Sequence, residues 1–212
     1  MYKAGKPLDY DFYLRYKRAA DASKVMSQFE IKPDMKPITL GNGVSNVAAG
    51  GCGLCCAVMA ADRLTPNSNF ELEDALDLAY ASGGNGAAGT DYGPFAPAFA
   101  EKMNYDWKGT ASFDDVDEWL ATGGVAVVEV AGDRQDGHIG VFTHGWHFML
   151  LLYKRADGKY AILDPSQTPT KYDEEGRKGL VEVDGNIIYA SKEVLWEEAK
   201  DFDVPFYLFR RK

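Results

Sequence analysis

The sequence predicts an α+β fold, and three observations lead there. Helical patterns crowd the stretch between Cys52 and Thr122. From Val125 onward the texture changes to short apolar runs separated by turn signals. Two of those turns, Ala156-Asp157-Gly158 and Asp184-Gly185, have hairpin chemistry, so the strands beside them run antiparallel. Helices first and antiparallel strands afterwards make two layers that meet at a cleft.

The elements follow in order. Residues 1–37 are polar and read as an N-terminal extension packed on the body, with an amphipathic helix expected over Asp11 to Phe29. Residues 38–212 read as one domain, since no linker divides them. Gly41 to Gly53 is rich in Gly, Ser and Asn and breaks into a helix over Cys52 to Leu64, stopped by Pro66. Asn67 or Asn69 is expected to cap a second helix, Phe70 to Ala81, whose first turn carries Glu71, Glu73 and Asp74 as the helix dipole favours. Gly83 to Thr90 is a small-residue loop. A third helix is expected from about Pro94 to Met103, and a fourth from Phe113 to Thr122, capped by Ser112. Strands are expected at Val125 to Val130, briefly at Val141-Phe142, and at His147 to Tyr153 with its return strand Tyr160 to Leu163. A second hairpin joins Leu180 to Val183 with Asn186 to Tyr189. A capped helix, Ser191 to Lys200, and a strand, Pro205 to Arg210, complete the chain.

Composition narrows the partners. The chain has 212 residues, long enough to bury a core without disulfide or metal staples. Its 32 acidic and 23 basic side chains give a net charge of −9, a field that repels nucleic acid and anionic lipid. The longest apolar run, Phe148 to Tyr153, has the length of a strand and falls far short of a membrane span, so no membrane insertion is expected. The N-terminus lacks the apolar core of a secretory signal. The chain therefore reads as cytoplasmic, or as secreted if a signal peptide has been removed. Three cysteines within five residues, Cys52, Cys55 and Cys56, are not a disulfide framework.

The chemistry starts at Cys52. It lies between Gly51 and Gly53 at a helix start, where the helix N-terminus stabilises a thiolate and small neighbours leave room for a substrate backbone. Cys55 and Cys56, one turn on, suit core packing. All three histidines, His138, His144 and His147, fall within ten residues. His147 opens the most apolar strand, and Asp164 closes the return strand, so a hairpin brings them to one end of two neighbouring strands. A nucleophile, a base and an orienting carboxylate are the elements of acyl transfer. A one-residue slip in register would turn Asp164 away and make Gln167 its rival. Thr90 and Asp91, after the Gly-rich loop, and Trp146, beside the base, are candidates to line the cleft near substrate.

The order of these motifs is similar to that of a known family. Gly51-Cys52-Gly53 opens a helix, Gly89-Thr90 follows the second helix, and Gly124-Val125-Ala126-Val127-Val128 forms a strand. Gly145-Trp146-His147-Phe148-Met149-Leu150-Leu151 then runs on to Tyr160-Ala161-Ile162-Leu163-Asp164-Pro165. Together, from about Ile38 to Leu208, they resemble the papain-like peptidases related to bacteriocin-processing, double-glycine-leader peptidases. The resemblance implies a papain-like fold, with a helical layer packed on an antiparallel β-sheet. It also implies Cys52 as nucleophile, His147 as base and Asp164 as orienter, acting on a peptide or protein substrate without metal or organic cofactor. The family usually places a Gln six residues before the Cys as an oxyanion donor. Here Asn46 stands there, one methylene shorter.

Four other readings compete. His138-Ile139-Gly140-Val141-Phe142 resembles the His-x-Gly strand of papain-like cell-wall endopeptidases, which would make His138 the base. The three histidines with a carboxylate could hold a metal. Cys52-Gly53-Leu54-Cys55 is a C-x-x-C, although no apolar strand precedes it as a thioredoxin-like site requires. A peptide-binding module with a weakened site is the non-enzymatic alternative, and Asn46 favours it.

Overall fold

The computed structural model describes the backbone of residues 39–40 and 45–46, and residues 50–66, 68–86, 89–168 and 170–212 in full. The expected N-terminal extension and its helix lie outside the described residues. Two short strands, β1 (Thr39–Leu40) and β2 (Ser45–Asn46), pair antiparallel ahead of the body.

The helical layer consists of α1 (Cys52–Leu64), α2 (Leu72–Ser82) and α3 (Tyr92–Met103). Between α2 and α3 a small hairpin, β3 (Asn85–Gly86) and β4 (Gly89–Thr90), occupies the Gly-rich loop. Ten of the thirteen residues of α1 are buried, because it lies between the sheet and the other helices. A helix so enclosed is apolar all round, which is why Ala, Val, Met and Cys fill it without an obvious polar face. Phe99 on α3 is fully buried against Phe70, Phe95, Tyr105 and Phe209. A side chain packed that way stabilises the fold by about 3–5 kcal/mol over Ala.

The sheet has seven strands. They are β5 (Tyr105–Thr110), β6 (Val125–Val130), β7 (His147–Lys154), β8 (Tyr160–Leu163), β9 (Val181–Asp184), β10 (Ile187–Ala190) and β11 (Phe206–Arg211). Their spatial order is β5-β11-β6-β7-β8-β10-β9, and every pairing is antiparallel. Alternation along the central strands divides the core in two. Val125, Val127, Phe148 and Leu150 face α1 and α3. Ala126, Val128, Met149 and Leu151 face the other side, which α4 (Phe113–Ala121) and α5 (Lys192–Ala199) cover. Buried on both faces, β6 and β7 read as near-continuous apolar runs.

Several elements differ from the sequence expectation. The cap of α2 is neither Asn67, which lies outside the described residues, nor Asn69. It is Glu71, whose N–H donates to Asp74 Oδ2 at 2.9 Å in a capping box. Helix α3 starts two residues early because Asp91 caps it, accepting from the Gly93 N–H at 2.9 Å. Val141-Phe142 is not a strand but buried loop. Its N–H groups look elsewhere: that of Val141 donates to Glu198 Oε2. The β9–β10 turn is Gly185-Asn186, one residue later than expected, and Gly185 takes the positive φ of +59° that such two-residue turns need. Strand β5 has no counterpart in the sequence reading.

Candidate active site

Helix α1 starts at Cys52, with Gly51 as its N-cap residue and no side chain capping it. The first turn is fixed from above by α3: the Tyr92 hydroxyl donates to Gly53 O at 2.7 Å. A Cβ on Gly53 would stand 2.8 Å from Thr90 Cβ and 3.0 Å from the Tyr92 ring. Gly53 therefore makes room for Thr90 and Tyr92, not for a substrate backbone as its position suggested. Gly89, at φ +140°, passes Gly50 closely enough that a Cβ there would meet its carbonyl at 2.9 Å. This seats the β3–β4 hairpin against the chain that leads into Cys52.

The sheet supplies the other two groups. Leu150 pairs with Leu163 across β7 and β8, so His147 and Asp164 fall on one face as diagonal neighbours at the strand ends. The register is thus the one that brings them together. His147 Nε2–H donates to Asp164 Oδ1 at 2.6 Å, and both side chains are buried. Gln167 is no rival, since its Nε2 donates to Gly185 O. With Nε2 engaged, Nδ1 is the ring nitrogen left to act on Cys52, whose thiol His147 lowers.

Asp164 sits at the centre of a denser set of contacts than a two-strand argument foresees. Its Oδ1 also accepts from the Ser166 N–H at 2.8 Å and the Ser166 hydroxyl at 2.9 Å. Its Oδ2 accepts from Lys171 Nζ and from the Tyr172 hydroxyl, each at 2.6 Å. Lys171 is itself buried, lies in a 3₁₀ turn (Lys171–Asp173), and also donates to the Ser166 hydroxyl. Every acceptor site of a fully buried carboxylate is filled, as burial of such a charge demands.

The electrostatics follow from these contacts. Burial pushes the Cys52 thiol up. The hydrogen bond and charge of His147, with backbone hydrogen bonds to Phe148 and Gly53, outweigh it and hold the thiol below its ordinary value. Burial pulls His147 down, but the Asp164 carboxylate, with a smaller effect from Cys52, raises it to about 9. Burial would raise Asp164, yet His147 and Lys171 hold it well below the usual carboxylate range. The same burial, with the neighbouring Cys52 charge added, pushes Cys55 and Cys56 well above an ordinary thiol. Both are core residues. The arrangement favours a thiolate–imidazolium pair at Cys52 and His147, the kind of group that can attack a carbonyl.

A cleft of about 380 Å³ opens over this pair. Thr90, Asp91 and Trp146 line it, as the sequence suggested, and so does Glu129 from β6, which it did not single out. Trp146 is not a core residue: it is 73% exposed. Burial and the neighbouring Asp91 charge push the Glu129 carboxyl up to about 7. The side chain of Asn46 lies outside the described residues, which give only its place in β2.

The other histidines go elsewhere. His138 Nε2 lies 2.6 Å from Glu198 Oε1, a residue of α5 on the opposite side of the sheet from α1. His144 Nδ1 lies 2.9 Å from Asp133 Oδ2. Each histidine has its own carboxylate, and no group of three metal-ligating side chains forms among the described residues. No helix among the described residues is long and apolar enough to cross a membrane.

No protein-family model matches the chain, and no curated protein does. Solved structures are similar. One, from Bacillus anthracis, is described as a C39-like peptidase. It is 12% identical with a TM-score of 0.55, over 90% of this chain and 96% of that one. Another is the peptidase domain of Streptococcus ComA, a bi-functional ABC transporter involved in quorum sensing. It is 13% identical with a TM-score of 0.49, over 83% of this chain and all of that domain. At such identity the first likeness is one of fold, and the chain has the papain-like α+β fold of C39-like peptidases that its motif order resembles.

Proposed function

We propose that the protein is a cysteine peptidase that hydrolyses a peptide or isopeptide bond through a thioester on Cys52. One observation carries the reading: a thiol below its ordinary pKa shares a cleft with an imidazole anchored to a buried carboxylate at 2.6 Å. The peptidase description of a neighbour with the same fold supports it.

In this reading the Cys52 thiolate attacks the carbonyl carbon, a C–S bond forms, and the carbonyl oxygen takes the negative charge. The Cys52 amide at the start of α1, and Asn46 six residues earlier, donate to that oxygen. His147, already protonated, gives its proton to the amine as the C–N bond breaks, leaving a thioester. His147, now neutral, takes a proton from water, and the hydroxide attacks the thioester. The C–S bond breaks, releasing a carboxylic acid and restoring the thiolate–imidazolium pair. Asp164 keeps the ring in one orientation and favours its protonated form. Thr90, Asp91 and Trp146 bind the peptide on either side of the thiol, and Gly51 lets it approach.

The test is incubation with a diverse peptide pool, read by mass spectrometry of the cut peptides and of the protein after acid quenching. New termini that disappear in Cys52→Ala, with an acyl group mapped to Cys52, are expected. No Cys52-dependent cleavage, with Cys52 alkylated no faster at pH 6 than a free thiol, overturns the reading in favour of a binding module.

A further inference from the structure

The cleft holds a charged group that the thiol chemistry does not use. Glu129 interrupts an otherwise apolar strand, Val125-Ala126-Val127-Val128-Glu129-Val130. Val125 and Val127 face the α1 side, and alternation sends Glu129 the same way, where it lines the cleft with Cys52 and His147. It is half-buried, and no hydrogen bond or ion pair to its carboxylate exists among the described residues. The charge that acts on it is another carboxylate, Asp91, which adds to its cost. An unpaired carboxylate in a partly desolvated wall is expensive, and a cation arriving from outside would relieve it.

Two further features of the cleft suit such a cation. Trp146 is 73% exposed and offers an indole face to a guanidinium or ammonium group. Thr90 also lines the cleft, is nine-tenths buried, and its Oγ1 has no hydrogen-bond partner among the described residues. None of the described residues lining the cleft is a Lys or Arg.

We propose that Glu129, with Asp91 at the rim and Trp146 as a wall, forms a subsite that selects a basic residue, Lys or Arg, beside the scissile bond. The proposal rests on the peptidase reading for the word scissile, but the cation preference stands apart from it. A strand buried on both faces gains nothing structurally from a glutamate there; Val or Leu would pack better.

The test reads charge at Cys52 without needing turnover. The full chain is treated with cationic aminoethyl methanethiosulfonate or anionic sulfonatoethyl methanethiosulfonate, and modification of Cys52 is timed by peptide mapping. The ratio of the two rates, divided by the ratio for a small free thiol, cancels changes in thiol reactivity. It should exceed unity, fall about tenfold in Glu129→Gln, and persist in Glu129→Asp, which keeps the charge. A ratio that Glu129→Gln leaves within about twofold overturns the proposal, whether or not the protein cuts peptides. Among peptides that are cut, Lys or Arg should be enriched at one position near the bond, and norleucine there should raise KM for the wild type but not for Glu129→Gln. Cleavage with no basic preference overturns the subsite. A charge ratio that behaves as expected in a protein that cuts nothing supports the cation site and overturns the peptidase reading alone.

Discussion

Two histidine–carboxylate pairs lie in this molecule, one at the ends of β7 and β8 and one between a loop and α5, and their geometry is nearly the same. His147 meets Asp164 and His138 meets Glu198, each at 2.6 Å, and each carboxylate is fully buried. Their surroundings differ. Asp164 has Lys171 and Tyr172 on its second oxygen, and the cations win, so it stays ionised. Among the described residues Glu198 has only the Val141 N–H on its second oxygen, and burial wins, so its carboxyl is raised. His147 then faces a thiol in a cleft, whereas His138, beside Gly and Asp in a loop, ties that loop to α5. A buried His–carboxylate contact is therefore no mark of catalysis by itself. The thiol on the free side of the ring, and the cation that keeps the carboxylate charged, set the two pairs apart.

The sharpest way to break that distinction is to remove each histidine in turn. His147→Ala takes away the main influence that lowers the Cys52 thiol and leaves burial opposed only by backbone hydrogen bonds to Phe148 and Gly53, so its pKa should climb towards about 8.5 or beyond. Alkylation of Cys52 by iodoacetamide at pH 6 should slow by about tenfold or more, and peptide hydrolysis should fall by about 10⁴-fold or more. His138→Ala should leave the alkylation profile of Cys52 where it is. If His138→Ala raises the thiol pKa and His147→Ala does not, the two pairs have been assigned the wrong roles.

Much of the His147–Asp164 pair was legible because strands are periodic. A histidine opening the most apolar run and an aspartate closing its hairpin partner share a face in only one register, and the motif order pointed to that register. Lys171, Tyr172 and Ser166 were not legible. They lie in irregular chain after β8, and nothing in Pro165-Ser166-Gln167-Thr168 or Thr170-Lys171-Tyr172 says that a lysine will be buried. Glu129 did carry a signal, a single charge among five apolar residues of a strand, and reading β6 for its exception would have found it. Strand β5, Tyr-Asp-Trp-Lys-Gly-Thr, shows no alternation of its own. It is a strand because every residue pairs with β11. Asp91 was placed in the cleft for its position in a loop, and it proves also to cap α3.

A smaller effect should separate the carboxylates. Asp164→Asn removes the charge that holds His147 protonated and leaves Lys171 buried without its counter-ion, so activity should fall by about 10³–10⁴-fold. Lys171→Met keeps Asp164 but removes its cation. The carboxylate then acts more strongly on His147, raising it above about 9, while Cys52 loses a favourable neighbour and also rises. Both limbs of the pH–rate profile should therefore move upward, with a loss of about tenfold at neutral pH. Glu198→Gln should move neither limb. A Lys171→Met profile that falls in height without moving would reduce Lys171 to packing.

The smallest effect concerns stability, where the two titrating groups of the active pair oppose each other. His147 is raised, so its contribution is complete below its unfolded value of about 6.5 and is lost as pH rises through about 9. Cys52 is lowered, so its contribution is present above the unfolded thiol value of about 8.5 and is lost as pH falls below it. From about pH 6.5, or from the lowered Cys52 value where that is higher, up to about 8.5, the folded pair holds one proton, on the imidazole, and the unfolded chain also holds one, on the thiol. Their slopes cancel, and above about pH 7, where Glu129 has given up its proton, the melting temperature should be flat to the end of that window. Cys52→Ala removes one side of the balance. Stability should then fall as pH rises through the window, by about 2–4 °C for each kcal/mol lost from the still-raised histidine. Thermal unfolding at half-unit pH steps reads this directly. His138→Gln, which touches neither group, should keep the flat top. A Cys52→Ala curve as flat as the wild type would mean that His147 is not held protonated in the fold, and that the two histidine–carboxylate pairs are electrostatically alike.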